Sequence, residues 1–139
     1  MKILITVYHQ ILNFSAKKPL EIGGIIGGQN NIIEYLYFDI NTSIHSYAPD
    51  TNKLNDIISG WCKQSIKFLG IFHSHLDTSE RLSNADEKYI KEIMYAMPEE
   101  IDFLYFPLIL PECKKMIVFK AIRKNNMIDI IKDDVKIIR

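Results

Sequence analysis

The sequence predicts an α/β fold in which a central mixed β-sheet is flanked by about three helices. Apolar runs of strand length recur along the chain, and between them lie three segments whose apolar residues repeat at helical spacing. The chain has 139 residues, of which 47% are hydrophobic and 24% are charged. That composition is sufficient for a proper core, so we expect a single domain over residues 1–139.

The first part of the chain is predicted to form a strand, a helix and a β-hairpin. Residues 1–5 fit a short strand, and the helix that follows to about Ala16 has one apolar face. Residues 19–28 are rich in apolar residues and glycine and fit a second strand. The Gln-Asn-Asn sequence at residues 29–31 is typical of a turn, so the alternating residues 32–40 are expected to pair back on that strand.

Two helices and the strand between them are predicted for the middle of the chain. Residues 41–49 fit a loop, after which Asp50 or Thr51 can cap a helix. Its buried face is expected to comprise Leu54, Ile57, Ile58, Trp61 and Cys62. Residues 66–75 fit a buried strand, and apolar residues at helical spacing predict a further helix over residues 84–97.

The remaining residues are predicted to complete the sheet. Residues 101–110 and 116–122 fit two apolar strands joined by a turn around Pro111. Two consecutive asparagines then form a turn before a strand over residues 127–131, and a last segment extends to Ile138.

The most informative motif joins the strand at residues 66–75 to the start of the next helix. It consists of His73-x-His75, seven residues, and then Ser83-x-x-Asp86. Side chains two positions apart on a strand share a face, so the two imidazoles are expected on the same side of the sheet. Asp86 lies in the first turn of the helix, which can fold back toward the strand end and supply an anionic third ligand.

Two imidazoles and one carboxylate are a ligand set typical of hydrolytic zinc sites. Three protein ligands leave the fourth tetrahedral position of Zn²⁺ open for a water, whereas a structural site would use a fourth protein ligand. The ion then retains net positive charge, which lowers the pKa of the bound water toward neutrality. The motif therefore predicts one catalytic Zn²⁺ per chain.

Each of these residues also has a simpler interpretation. Ser83-x-x-Asp86 fits a capping box, in which Ser83 is the N-cap and the helix dipole favours the carboxylate of Asp86. His73 alone would be a hydrogen-bonded, partly buried histidine. Capping explains neither histidine, and a core histidine does not require a second one two residues on. The spacing leaves both interpretations open for Ser83 and Asp86.

Three other metal-dependent classes are disfavoured. The His-x-His-x-Asp-His signature of metallo-β-lactamase-like hydrolases needs histidine where this chain has Thr78. Amidohydrolase barrels also begin with His-x-His, but such a barrel takes about 250 residues. Zinc deaminases need a Pro-Cys-x-x-Cys segment, whereas the two cysteines of this chain, Cys62 and Cys113, are far apart.

Glu21 is the candidate for the carboxylate that accepts a proton from a zinc-bound water. It lies in a run otherwise made of apolar residues and glycine, where an unpartnered carboxylate would be costly to bury. A bulge or a close backbone approach is expected at the glycines of this run, which are Gly23, Gly24, Gly27 and Gly28. The alternative is that Glu21 is the exposed first residue of the strand, just after Lys18 and Pro19.

Together, residues 21–28 and 73–86 resemble the JAMM metalloprotease family, also called MPN+ or Mov34/PAD-1-like. The resemblance rests on Glu-x-x-Gly-x-x-x-Gly in the first segment and on the His-x-His and Ser-x-x-Asp pairs in the second, in the family's order. It implies an α/β fold of the MPN type, which is an α-β sandwich with cytidine-deaminase-like layering.

The resemblance implies a role for each of five residues. The zinc ligands are His73, His75 and Asp86. Glu21 is implied to be the general acid/base on the bound water, and Ser83 is implied to stabilise the oxyanion of the tetrahedral intermediate. The spacing of the motif by itself supports only the three ligands.

The resemblance also implies the substrate. Members of the family cleave peptide or isopeptide bonds after the C-terminal tail of ubiquitin or a ubiquitin-like protein, and such a tail is expected to add to a sheet edge beside the site. The predicted strands at 101–110 and 116–122 lie too close for the long insertions of eukaryotic relatives, so the chain resembles the compact prokaryotic branch. The alternatives are a processing hydrolase for a ThiS- or MoaD-type sulfur-carrier protein and a non-catalytic MPN scaffold that binds a partner.

One position departs from the family's pattern. Most relatives have proline directly after the second histidine, where this chain has Leu76. Proline would stiffen the turn, so we expect residues 76–82 to be more mobile and Asp86 to be less well positioned. His45 lies in the predicted loop before the second helix and is expected to be exposed there.

Charge and cysteine content predict which partner classes are excluded and which compartment the protein occupies. Lys+Arg and Asp+Glu each number 17, so the chain has no electrostatic footprint for nucleic acid or a membrane surface. Two cysteines without pairing spacing, and no apolar stretch of about 18 residues, predict a cytoplasmic protein without a membrane span. We expect Cys62 to pack on a helix face and Cys113 to lie in a turn. The oligomeric state is not predicted by the sequence.

Overall fold

A computed structural model describes residues 1–17, 21–39 and 51–139 of the chain. Within these ranges the protein has eight strands and three helices. In chain order they are β1 (Lys2–Leu4), α1 (Ile5–Ala16), β2 (Gly23–Gln29), β3 (Ile32–Asp39), α2 (Thr51–Lys63), β4 (Lys67–Ser74), α3 (Asn84–Ala96), β5 (Phe103–Leu110), β6 (Lys115–Lys124), β7 (Met127–Asp133) and β8 (Lys136–Ile138).

The architecture is a mixed α/β fold with one curled mixed sheet, as the sequence predicts. The strand order is β7-β6-β5-β4-β2-β3-β1-β8. β4 runs parallel to β5, and β1 runs parallel to both β3 and β8, whereas the other neighbouring pairs are antiparallel. β4 therefore lies inside the sheet, and the edge strands are β7 and β8. β4 has a neighbour on each side, so it offers no free edge to which an extended peptide could add.

The sheet has helices on both faces. α1 packs on one face, where Ile11 is buried in a cluster with Phe72 of β4. α2 and α3 pack on the other, where Leu54 and Ile90 are buried in a cluster with Ile71. Neighbouring residues of a strand alternate between the two faces, as Ile71 and Phe72 do here. His73 and His75 lie two and four residues after Ile71, so their side chains are expected on the same face of the sheet as Ile71, which is the face covered by α2 and α3.

β2 contains the backbone irregularities predicted from its glycines. Its pairing with β4 shifts register between Ile26 and Gly27, and its pairing with β3 shifts between Gly27 and Gly28. A Cβ atom on Gly24 would lie only 2.0 Å from the carbonyl oxygen of Tyr37. The glycines of β2 thus mark both a bulge and a close approach of two backbones.

The prediction that Cys62 packs on the apolar face of its helix is wrong. Cys62 is exposed, whereas Leu54 is buried and Trp61 is partly buried on the same helix. At about 100° per residue, Cys62 falls at the margin of the apolar face and its side chain turns to solvent. Cys113 is exposed in the turn between β5 and β6, as expected.

Some predictions fall outside the described residues. These are the loop over residues 41–49, the exposed position of His45 and the helix cap at Asp50; α2 itself begins at Thr51. None of the helices in the described part of the chain is long and apolar enough to cross a membrane.

Candidate metal centre

Donor atoms of His73, His75 and Asp86 converge where β4 meets the start of α3. The Nε2 atoms of His73 and His75 are 3.2 Å apart. Oδ2 of Asp86 lies 3.1 Å from Nε2 of His75, and Oδ1 of Asp86 lies 3.4 Å from Nε2 of His73. All three side chains are partly buried. The three residues that the sequence predicts as ligands therefore form one cluster, which we call the metal cluster.

The spacing of these donor atoms fits a tetrahedral metal ion. Zinc bonds of about 2.0 to 2.1 Å at tetrahedral angles place ligand atoms roughly 3.3 to 3.4 Å apart. The two imidazole nitrogens are 3.2 Å apart, and each faces a different oxygen of Asp86, at 3.4 Å for His73 and 3.1 Å for His75. The three donor groups are therefore close enough together to bind one divalent ion, and three ligands would leave one tetrahedral position free.

The backbone around the end of β4 fixes the two histidines. His73 is paired with Gly23 of β2 on one side and with Leu108 of β5 on the other. His75 lies just after β4, and its N–H donates to the carbonyl of Ile109 at 2.9 Å. Both histidines are therefore held in register with β5, which keeps their side chains at a fixed separation along one face.

Ser83 and Asp86 form the capping box that the sequence predicts at the start of α3. The Asp86 N–H donates to Ser83 Oγ at 3.0 Å, and the Ser83 N–H donates to Asp86 Oδ2 at 3.0 Å. The same Oδ2 atom faces Nε2 of His75. Helix capping and metal binding are therefore compatible, because the capping hydrogen bond holds the carboxylate toward the histidines.

The charges in the metal cluster stabilise one another. Burial opposes ionisation of Asp86, but hydrogen bonds with His73 and His75 outweigh it and hold the pKa of the Asp86 carboxyl well below its usual range. The hydrogen bond with Asp86 raises the pKa of His75 against the effect of burial, and the charge of Glu21 adds to the rise. The cluster therefore attracts positive charge, which is a proton in the metal-free protein and a cation when a metal binds.

Among the described residues, nothing accepts a hydrogen bond from the second ring nitrogen of His75. Its Nδ1 atom is buried and has no partner within the described ranges. Metal-binding histidines generally donate their other ring N–H to a carboxylate, a backbone carbonyl or water. The imidazole of His75 is oriented by Asp86, whose Oδ2 lies 3.1 Å from Nε2.

Glu21 lies just before β2, the strand that neighbours β4, and therefore close to the metal cluster. It precedes β2 by two residues and is partly buried, so it is not the exposed residue of the alternative interpretation. The antiparallel register pairs Gly23 with His73, and continuing that register brings Glu21 opposite His75. The charge of Glu21 also raises the pKa of His75, which is consistent with this proximity.

Two further residues near the cluster were not singled out by sequence patterns. Ser74 is fully buried between the two histidines. Tyr89 of α3 lines a cavity of about 240 Å³ together with His73 and Asp86, and its hydroxyl has no hydrogen-bond partner in the described part of the chain. Burial raises the pKa of Tyr89. Helical periodicity assigns Tyr89 to the core, and no pattern in the sequence points to Ser74.

A family model described as prokaryotic homologs of the JAB domain matches residues 6–123 of the chain. The chain belongs to this family. All five residues predicted for the site lie within the matched range, and the JAB family includes the JAMM proteases that the motif resembles. Among curated proteins, none matches the sequence significantly.

Solved structures share the fold of this JAB domain. Protein DSY2949 from Desulfitobacterium hafniense has a TM-score of 0.71 at 19% sequence identity, and the alignment covers 98% of this chain and 91% of that one. AF2198, a JAB1/MPN domain protein from Archaeoglobus fulgidus, has a TM-score of 0.60 at 16% identity, with coverage of 99% and 97%. At these identities the comparison supports the fold, which is the MPN/JAB fold predicted from the motif.

Proposed function

We propose that this JAB domain is a zinc-dependent peptidase or isopeptidase that cleaves after the C-terminal tail of ubiquitin or a ubiquitin-like protein. The observation that carries the proposal is the metal cluster, whose donor atoms are 3.1 to 3.4 Å apart and which has a carboxylate, Glu21, beside it. Membership of the JAB family supports the reaction class. The specific substrate is inferred from the resemblance to the JAMM proteases.

Metal binding and proton transfer are assigned to different residues of the site. His73, His75 and Asp86 would hold a zinc ion, which when bound would supply a water of lowered pKa and a Lewis acid. Glu21 accepts a proton from the attacking water and returns it to the amine that leaves. A carboxylate within reach of both groups can perform the two transfers in turn.

Ser83 has two roles in this proposal. Its Oγ accepts the N–H of Asp86 and so caps α3. A hydroxyl that accepts one hydrogen bond can still donate its own proton. In the proposal, the Ser83 hydroxyl donates a hydrogen bond to the carbonyl oxygen of the substrate, which becomes negatively charged as the carbonyl carbon is attacked.

The short turn between β5 and β6 favours a compact substrate surface. β5 ends at Leu110 and β6 begins at Lys115, so no long insertion lies between them. This supports assignment to the compact prokaryotic branch, whose members act on ubiquitin-like modifiers or on sulfur-carrier proteins of the ThiS and MoaD type. The nature of the leaving group separates these two substrate classes, because only a conjugated modifier carries an isopeptide bond to lysine.

Cleavage of ubiquitin-like fusions tests the proposal. Zinc-loaded protein is incubated with ubiquitin, a ubiquitin-like modifier and a ThiS-type carrier, each with a peptide or isopeptide-linked extension, and products are mapped by mass spectrometry. We expect scission directly after the tail of at least one fusion, and cleavage at least about 100-fold slower with the Glu21→Gln variant. A wild-type protein that holds zinc but cleaves no fusion would instead favour the non-catalytic scaffold.

A further inference from the structure

We propose that Ser74 is a positioning residue that holds Glu21 against the metal cluster. The inference rests on the proposed function, in which Glu21 is the proton acceptor. Ser74 lies between the ligands His73 and His75 and is 0% exposed. By the alternation of a strand, its side chain starts on the face opposite the imidazoles, so Ser74 is not itself a metal ligand.

Two hydrogen bonds join Ser74 to Ile22, the residue next to Glu21. The Ser74 N–H donates to the Ile22 carbonyl at 2.8 Å, and the Ile22 N–H donates to Ser74 Oγ at 2.9 Å. In a regular antiparallel pair, the second of these bonds would end on the backbone carbonyl of residue 74. The serine hydroxyl therefore takes the place of its own backbone carbonyl as the acceptor.

This arrangement extends the attachment of β2 to β4 beyond the regular ladder. The last regular pair at this end is Gly23 with His73. The exchange between Ile22 and Ser74 adds one more doubly bonded pair, directly before Glu21. The backbone of Ile22, the residue after Glu21, is thus bonded to the one residue that separates the two histidine ligands. Through Ile22, Ser74 restrains the position of the Glu21 carboxylate relative to the metal cluster.

Loss of the Ser74 hydroxyl should free the segment before β2 without displacing the metal ligands. Ile22 is 3% exposed, so its N–H would be buried without an acceptor if Ser74 were alanine. A buried donor without a partner is unfavourable, and the chain can relieve it by moving the segment before β2 away from β4. The histidines would keep their own backbone contacts to β5. We therefore expect Ser74→Ala to displace Glu21 while the ligands stay in place.

Ser15→Ala is a matched control for loss of a buried hydroxyl. Ser15 is 1% exposed and its Oγ donates to the Ile11 carbonyl at 2.7 Å within α1, which packs on the sheet face opposite the metal cluster. Both variants lose one buried hydroxyl hydrogen bond. Only Ser74→Ala removes a hydrogen bond to Ile22, the residue next to Glu21.

The first measurement is steady-state kinetics on the ubiquitin-like fusion that the wild-type protein cleaves. We expect Ser74→Ala to lower kcat by about 10- to 100-fold, because a displacement of about 1 Å at the reacting groups has an effect of this order. KM and zinc content should remain close to wild type, Ser74→Thr should recover most of kcat because it keeps the hydroxyl, and Ser15→Ala should leave kcat unchanged.

The second measurement needs no substrate, so it remains informative if the proposed peptidase activity fails. Protein loaded with Co²⁺ alone is studied by NMR, where the paramagnetic shifts of the Glu21 side chain report its position relative to the ion. We expect these shifts to shrink in Ser74→Ala and the Ile22 amide to exchange faster, with neither change in Ser15→Ala.

Two outcomes would overturn the proposal. One is a Ser74→Ala protein with wild-type kcat and unchanged Glu21 shifts. The other is loss of metal binding in that variant, since Ser74 would then support the ligands rather than Glu21. If Ser74→Ala does not fold, Ser74→Cys keeps the shape with a weaker acceptor, and the same two measurements on it decide the question.

Discussion

At the residue scale, Asp86 contributes one carboxylate to two sets of contacts. Oδ2 accepts the N–H of Ser83 and faces His75, while Oδ1 faces His73. A helix N-terminus favours negative charge, and a metal ion also requires the ionised carboxylate. The depressed pKa of Asp86 serves both requirements, because the side chain stays charged wherever the protein is folded at ordinary pH.

Replacing Glu21 separates proton transfer from metal binding. We expect Glu21→Gln to keep the full zinc content, because Glu21 is not part of the metal cluster. Hydrolysis should fall by roughly 10²- to 10⁴-fold, which is the usual contribution of a positioned general base. Metal analysis and kcat on the same preparation check both statements. Unchanged turnover would show that another group accepts the proton.

Replacing Ser83 separates the helix cap from oxyanion stabilisation. Loss of the cap in Ser83→Ala should lower the free energy of unfolding by about 1 kcal/mol. Loss of an oxyanion donor should also lower kcat by roughly 10²- to 10³-fold. Ser79→Ala, at an exposed loop serine, is the control for both measurements. A normal kcat with reduced stability would assign Ser83 to the cap alone.

The stability of the metal-free protein should depend on the protonation of His75. The pKa of His75 in the folded protein is raised above its ordinary value of 6.5. Protonated His75 therefore stabilises the folded protein fully below pH 6.5, and this stabilisation is lost as the pH rises through the raised pKa. We expect the Tm of chelator-treated protein to fall over that window and the decline to flatten in His75→Gln. Zinc requires neutral histidine, so stabilisation by zinc should increase with pH instead. A metal-free Tm that rises across this window would contradict the assignment.

At the element scale, α3 is fixed at both ends. Its first turn carries the Ser83–Asp86 capping box. At its C-terminal end, the Arg123 guanidinium of β6 donates to the carbonyls of Met94, Met97 and Pro98. The helix that supplies Asp86 is therefore attached to the sheet at the end far from the metal cluster, which limits its rotation relative to β4.

Removing the guanidinium of Arg123 should loosen α3 from that end. We expect Arg123→Leu to reduce the free energy of unfolding by about 1 kcal/mol, since charge-assisted hydrogen bonds are stabilising but these are partly exposed. Lys124→Leu is the control, because its ion pair with Asp129 spans 4.0 Å between exposed side chains. Chemical denaturation compares the two. Equal stability of both variants would mean that Arg123 does not anchor the helix.

The segment between the two halves of the motif is restrained by several contacts. The N–H of Ser79 donates to Asp77 Oδ1 at 2.9 Å. Glu80 forms an ion pair with Lys115 at the start of β6, although both side chains are largely exposed and such pairs contribute little. Leu82 is partly buried against the α2–α3 cluster. The mobility expected from the missing proline stays a prediction, and these contacts oppose it.

Local elements and the ligand set could be predicted because both follow short-range patterns. Strand and helix periodicity place His73 and His75 on one face, and capping rules place the carboxylate at the helix start. The hydroxyl of Ser74 could not be assigned from sequence, because its partner Ile22 is 52 residues away. Arg123 was missed for the same reason, since the carbonyls it binds lie on another element. The predicted burial of Cys62 is wrong because helical periodicity does not decide whether a residue at the margin of the apolar face is buried.

At the scale of the whole molecule, the site depends on three segments that are distant in sequence. Glu21 enters from the start of β2, the histidines from the end of β4, and the carboxylate from the start of α3. β2 and β4 are adjacent in the sheet, and α3 packs on the face that carries the histidines. The metal cluster therefore exists only when the sheet and α3 are assembled, so metal binding should report the folded state of the whole protein.

Zinc content is the most direct test of the metal cluster. Wild-type protein, a His73→Ala/His75→Ala double variant and a control with the exposed His9 replaced by alanine are purified in parallel, and folding is verified by circular dichroism. We expect about one equivalent of zinc per chain in the wild type and in the control, because the three ligands together bind one ion. We expect no zinc in the double variant. Full zinc retention in a folded double variant would contradict the site.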